Sequence, residues 1–269
     1  MRRRPALLAT ATATLTALAL AACGSSDDDG GGDAGSDLGL VTDGTLTVAT
    51  EGTYRPFTFH DEGSGDLVGY DVEVAEAVAE KLGLEIEFQE TQFDAIFAGL
   101  DAGRFDTIAN QVSINPEREE KYVFSQPYTV SRGVVVVNEG DTSISSLDDL
   151  AGKTTAQSLT SNWYQLAQEA GADVQPVEGW AQSVELLRQG RVDATINDSL
   201  TYLDYEQQQG GDTGLEVAVE TDDESQSAFV VTPQREALAT AIDGALDELR
   251  SEGVLAELGE TYFGEDVSG

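Results

Sequence analysis

The stretch "GRFDTIAN", Gly103 to Asn110, returns as "GRVDATIN", Gly190 to Asn197. Both copies read Gly-Arg-apolar-Asp, then a short β-prone run, with Asn six residues after the Arg. A chain that builds one corner twice, 87 residues apart, is constrained toward two similar halves. Two ordinary helix-to-strand turns sharing a common Gly and Asp would read the same way, since short matches carry a false-positive risk.

The surroundings of the first copy set its context. "TLTVAT" (Thr45 to Thr50) reads as a strand, and "YDVEVAEAVAEKLG" as a helix with Val72, Ala75, Val78 and Leu82 on one face and Gly83 at its stop. "LEIEF" (Leu84 to Phe88) alternates as a strand, and "QFDAIFAGLDAG" is a helix stopped at Gly103. Alternating strands and helices predict an α/β fold with a mostly parallel sheet, whose ligand crevice lies at the carboxyl ends of the strands. Asn110-Gln111 and Asn197-Asp198 then occupy matching strand ends. Two lobes facing one another would bring both corners to a single cleft, one wall from each.

Composition excludes several functions. A formal charge of -36 makes nucleic acid an unsuitable partner. Only three Lys are present (Lys81, Lys121, Lys153), which fits either a saline habitat or simple compositional drift. One Cys and one His can make neither a disulfide framework nor a structural zinc site. No cofactor is expected, and His60 in "FTFHDE" reads as an exposed loop residue. The sequence holds no nucleophile motif, metal set or phosphate loop.

The chain opens with Arg2, Arg3 and Arg4, a short apolar run rich in Ala and Thr, and "LAAC" ending at Cys23. This run is too short for a membrane anchor and reads as a cleaved leader over residues 1–22. "LAAC" resembles the lipobox of bacterial lipoproteins, which implies lipidation of Cys23; a plain signal peptide with an incidental Cys is the alternative. Without the leader the chain carries 11 basic and 50 acidic residues, a net charge of -39. "GSSDDDGGGDAGSDLGL" has too few apolar side chains to offset ordering entropy, so residues 23–43 are expected to be a flexible acidic tether, with the fold starting near Gly44. "SRGVVVVNE" (Ser131 to Glu139) and "SQSAFVVTP" (Ser225 to Pro233) are extended runs suited to crossing between lobes. The expected lobes are residues 44–131 plus 223–269, and 132–222, with the hinge near 130–133 and 223–228.

"NQVSINPEREEKYVFSQPYT" (Asn110 to Thr129) resembles the signature segment of the family 3 bacterial solute-binding proteins, which deliver polar amino acids to ABC importers. The similarity runs over nearly all of Gly44 to Ser268, through "GTYRPFTFHDE", "GYDVEVAEAVAEKLG", "SSLDDLAGK" and "LAELGETYFGEDVS". "NQVSI" followed by "ER", together with "QSLTSNW", is most similar to cystine-binding members. The resemblance implies a two-lobed periplasmic-binding-protein type II fold: two αβ sandwich lobes joined by two crossing strands, closing on the ligand. It also implies an extracytoplasmic monomer held to the outer face of the membrane by its lipid and docking on a permease.

An amino acid carries a carboxylate and an ammonium, so its site needs a cation and an anion on opposite walls. Arg118 suits the carboxylate because a guanidinium fork binds it bidentately, and its place in the family motif favours this over the alternative, that "EREEK" is an exposed charge run. Asp198 suits the ammonium, with helix capping of "SLTYLDYEQQQ" as its alternative role. Ser113 and the amides after Gln111 would add donors. Thr160 and Ser161 precede a helix whose N–H groups favour an anion, though capping alone explains them too. The family pattern places Tyr54 and Phe93 around the ligand's uncharged part; Phe93 is also a plausible core residue. Gln111, Ser158 and Asn162 would face the ligand's far end, and Asn110, at the end of the first corner's strand, is a further ligand-binding candidate. The absence of any thiol beyond Cys23 agrees with a disulfide ligand, because a thiolate beside the cleft would attack it. An enzyme of dehydratase or lytic type, using Glu51 or Asp198 as acid or base, and a ligand-sensing domain are the alternatives.

Overall fold

A computed structural model describes residues 38–269. The leader, Cys23 and most of the acidic tether therefore lie outside the described residues. In chain order the elements are β1 (Thr45–Thr50), β2 (Thr53–Tyr54), β3 (Thr58–His60), β4 (Leu67–Val68), α1 (Tyr70–Leu82), β5 (Glu85–Glu90), α2 (Phe93–Asp101), β6 (Thr107–Ile108) and α3 (Pro116–Glu119). There follow β7 (Val123–Asn138), β8 (Thr154–Gln157), α4 (Asn162–Glu169), β9 (Asp173–Pro176), α5 (Trp180–Arg188), β10 (Thr195–Asp198), α6 (Ser199–Gln208), β11 (Leu215–Val231), α7 (Glu236–Glu252) and α8 (Val254–Phe263).

Six strands form one sheet in the order β10-β7-β11-β6-β1-β5. β1 pairs in parallel with β5 and β6, but β11 runs antiparallel to β6 and β7, and β10 antiparallel to β7. The sheet is thus mixed rather than mostly parallel. The cause is the pair β7 and β11, which double back on each other and belong to both halves. At about 3.3 Å per residue, a strand of the length of β7 reaches roughly 50 Å, long enough to serve both.

Each half is a layered sandwich, and the alternation of side chains along a strand explains how. In β1, Leu46 and Val48 pack on α1, α7 and α8, whereas Ala49 joins Phe93, Ile96 and Leu100 of α2 on the other face. The run "VVVV" repeats this in the second half. Val134 and Val136 pack with Val184 and Leu187 of α5, while Val135 and Val137 pack with Ile196 and Ala167 of α4 on the opposite side. A strand covered on both faces is apolar throughout, which is why this segment shows no polar alternation.

The repeated corner does the same job twice. Gly103 (φ +67°) and Gly190 (φ +65°) take the left-handed conformation that ends α2 and α5. Three residues on, Asp106 accepts the Thr47 N–H at 2.9 Å and donates its own N–H to Thr47 O at 2.8 Å. Asp193 makes the matching clasp on Thr154, at 2.7 Å in both directions. Each corner therefore fastens its helix-to-strand turn to the start of the neighbouring strand, β1 or β8.

The fold reaches further back than Gly44. Leu38 and Leu40 pack against the first core, Val41 N–H donates to Asp106 Oδ1 at 2.7 Å, and Arg235 Nε donates to Gly39 O at 2.8 Å. Two leucines at the end of a polar segment were enough to dock it. In the crossing strand, Gly133 stands against Trp163: a Cβ there would lie 2.6 Å from the indole ring. Among the described residues no helix is long and apolar enough to cross a membrane.

Candidate functional site

The carboxyl ends of β1, β6, β8 and β10 converge on one cavity, as expected for strand ends in a layered α/β unit. Glu51 follows β1, Asn110 and Gln111 follow β6, Gln157 ends β8 and Ser158 follows it, and Asn197 lies in β10. Tyr54 and Phe93 come from the first wall, and Ser161, Asn162, Trp163 and Trp180 from the helix starts of the second. Both asparagines of the repeated corner thus meet at one cleft.

The two walls are drawn together. Tyr54 Oη donates to Asn197 Oδ1 at 2.7 Å and accepts from Thr201 Oγ1 at 3.1 Å. Thr160 donates through its N–H and hydroxyl to Asp94 Oδ1, at 3.1 and 3.0 Å. Gln92 Nε2 donates to Glu178 Oε2 at 2.8 Å, and Gln165 Nε2 to Glu117 Oε2 at 2.6 Å. The cavity between the walls is about 50 Å³. That is the share of one or two water molecules in the liquid, so an amino acid can enter only when the walls part.

Of the eleven residues expected at the site, Tyr54, Phe93, Asn110, Gln111, Ser158, Ser161 and Asn162 line this cavity. Ser161 also caps α4, accepting the Tyr164 N–H at 3.1 Å. Ser113, Arg118, Thr160 and Asp198 stand outside the lining. Ser113 bridges to the crossing strand through Ser225 Oγ at 3.1 Å, and the Thr160 hydroxyl is committed to Asp94. His60, expected in a loop, lies in the short strand β3, where its ring meets Gly65 O and Glu90 Oε2, both at 2.9 Å. It remains exposed.

Arg118 is not part of a solvated charge run. It is 7% exposed, with Nη1 donating to Ser113 O at 2.8 Å and Nη2 to Thr160 O on the facing wall at 3.0 Å. Its guanidinium carbon lies 5.2 Å from the centroid of the Phe97 ring. Burial lowers its pKa to about 10, so the group stays charged at neutral pH. Asp198, 3% exposed, caps α6 by accepting the Leu200 N–H at 2.9 Å and takes the Ser131 hydroxyl on its other oxygen. Neither Arg118 nor Asp198 has an ion-pair partner among the described residues. A buried charge without a counter-ion is costly, and here a cation and an anion both carry that cost beside one cleft.

Gln157, Trp163 and Trp180 also line the cavity, beside Asn197 of the second corner. The strand-end rule, applied to β8 as it was to β6, would have found Gln157. It does not reach Asp71, a carboxylate that is 1% exposed. Among the described residues no cluster of His, Cys, Asp and Glu is placed to hold a metal ion.

Three buried carboxylates set the pH response. Desolvation raises Glu51 and Asp71 to about 7 and Asp198 to about 6, against ordinary values near 4. A group whose folded pKa is raised contributes stability below its unfolded pKa and loses it as pH rises through the folded one. The ligand-free protein should therefore be more stable at pH 5 than at pH 8, by roughly a few kcal/mol in total, and melt at a higher temperature there. Thermal unfolding at fixed ionic strength checks this; a melting temperature that rises from pH 5 to pH 8 would show these groups ionised in a solvated setting.

Residues 46–265 match the bacterial extracellular solute-binding proteins, family 3. A probable amino-acid ABC transporter-binding protein of Haemophilus influenzae is 51% identical over 83% of this chain and 86% of its own. The L-cystine-binding protein TcyA of Bacillus subtilis is 45% identical over 91% of this chain and 92% of its own. Among solved structures, an ancestral arginine-binding protein bound to arginine superposes with a TM-score of 0.76 at 35% identity, covering 82% of this chain and 98% of that one. The L-cystine solute receptor of Neisseria gonorrhoeae in its unliganded open conformation gives 0.58 at 46% identity, covering 84% and 95%. The chain belongs to the family 3 extracellular solute-binding proteins, with their two-lobed α/β fold. The nearer relative in sequence is the poorer match in shape, which agrees with walls that are closed here and parted in the open receptor.

Proposed function

We propose that the protein captures a polar amino acid, cystine first, between its two lobes outside the cytoplasm and hands it to the permease of an ABC importer. The observation that carries this reading is a pair of buried charges without ion-pair partners set just behind the cavity's lining, Arg118 beside Phe93 and Asp198 next to Asn197. Arg118 meets the ligand carboxylate and Asp198 the ammonium once the lobes have opened and reclosed on it. Tyr54 and Phe93 enclose the uncharged part, with Ser113, Thr160 and Ser161 as further donors and Asn110 beside them, and Gln111, Ser158 and Asn162 take the far end of a double zwitterion. Closure is favoured because only the closed form lets one ligand touch both walls. Cystine is preferred because two of the relatives above carry it in their descriptions. Each relative named is described as a binding protein or receptor, which supports binding over catalysis.

A thermal-shift panel tests the ligand. A ligand at 100 times its dissociation constant should stabilise the protein by ~2.7 kcal/mol. L-Cystine should raise the melting temperature most. A shift with glutamine, histidine or arginine and none with cystine would reassign the ligand.

The lobes are taken as residues 44–131 plus 223–269, and 132–222, acting as a monomer. Cys23 carries the lipid that holds the chain to the outer face of the membrane. Cys23→Ser should release the protein into the medium, checked by fractionating cells that express it. Retention of the variant in the membrane fraction would contradict the anchor.

A further inference from the structure

Gln111, immediately after the first asparagine of the repeated corner, is the one non-glycine residue among those described with a positive φ, +49°. A side-chain-bearing residue is strained there, so something must hold it. That something is Asp71, the second residue of α1. Gln111 N–H donates to Asp71 Oδ2 and Gln111 Nε2 to Asp71 Oδ1, both at 2.7 Å. The other hydrogen of Nε2 goes to Thr129 Oγ1 at 3.0 Å. With Asp71 ionised the amide faces one way, because its reverse would set an oxygen against the carboxylate. Its remaining polar atom, Oε1, is buried without a hydrogen-bond partner, in a residue that lines the cavity. An acceptor left unpaired in a closed site is destabilising, and a ligand N–H would relieve it.

We propose that Asp71 is a positioning residue for the far-end ammonium of a double zwitterion, the one that Asp198 does not hold: it clamps Gln111 in the left-handed conformation and fixes its amide so that Oε1 is the acceptor offered to the cleft. Asp71 itself has no ion-pair partner among the described residues, and its charge is spent on the two Gln111 donors. The N-terminal turn of α1 favours an anion at this position. A carboxylate serving stability alone would need neither the single amide orientation nor the unpaired oxygen.

This inference rests on the amino-acid reading above, and the test separates the two. Binding of L-cystine and the standard L-amino acids is measured by calorimetry on the full chain, followed by variants with whichever ligand binds best. In Asp71→Asn the new amide still accepts the Gln111 N–H, but its NH2 now confronts Nε2 and turns the Gln111 amide over, presenting a donor to the ammonium. Affinity should fall about tenfold or more, equivalent to one lost acceptor, while the melting temperature of the ligand-free protein moves by only a few degrees. Adding Gln111→Glu reverses the pair: the Asn NH2 donates to one carboxylate oxygen and the other faces the ligand as an acceptor. The double variant should recover to within about threefold of the wild type. A single variant that binds as well as wild type, or a double variant that binds no better than the single one, overturns the role of Asp71. A wild-type chain that binds nothing in the panel overturns the amino-acid reading, and the inference with it.

Discussion

Replacing Arg118 by alanine should weaken amino-acid binding by more than ~2 kcal/mol, because the ligand carboxylate would be enclosed without a cation. The loss has a second source. Arg118 Nη1 and Nη2 satisfy the carbonyls of Ser113 and Thr160 on facing walls, so the closed form itself loses a bridge. Lysine should not rescue it, since an ammonium cannot reproduce a planar fork that serves two carbonyls and a carboxylate. Calorimetric titration of both variants is the check. Near-normal affinity in Arg118→Ala would place the carboxylate elsewhere in the cleft.

Asp198→Asn should produce a loss of similar size, more than ~2 kcal/mol of binding, with little change in melting temperature. Asn is as good an N-cap as Asp, so the bond to the Leu200 N–H that starts α6 is kept while the charge is removed. Removing a buried carboxylate already raised to about 6 also relieves desolvation. The variant thus separates capping from ligand recognition. Unaltered ligand titration would show that Asp198 serves α6 alone.

The sequence carried much of this organisation in its periodicity and punctuation. α1 runs from Tyr70 to Leu82 and stops at Gly83, as its apolar face and glycine predict, and β1 occupies Thr45–Thr50. The two Gly-Arg-apolar-Asp corners could be read because each uses local chemistry, a left-handed glycine and an aspartate that clasps the next strand. Strand direction was less legible. The long crossing pair β7 and β11 imposes antiparallel neighbours through tertiary pairing, and nothing in "GVVVV" announces its direction.

The site divided along the same line. Groups fixed by their own strand end or helix start, such as Asn110, Ser158 and Ser161, could be placed from their position in the chain. Residues whose partners are distant in sequence could not. Thr160 turns to Asp94 and Arg118 reaches Thr160 O, contacts that depend on how two walls meet. Asp71 lies 40 residues from Gln111, and in sequence it is one of many acids on an acidic chain. Only burial separates it from the solvated ones.

The central claim is that one polar amino acid, cystine first, is bound between the two walls. Isothermal titration of the full chain with L-cystine under oxidising conditions tests it most directly. A single site per chain with micromolar affinity, about 8 kcal/mol, is expected, reached through two charged anchors. No heat of binding from cystine or from any standard amino acid would contradict it.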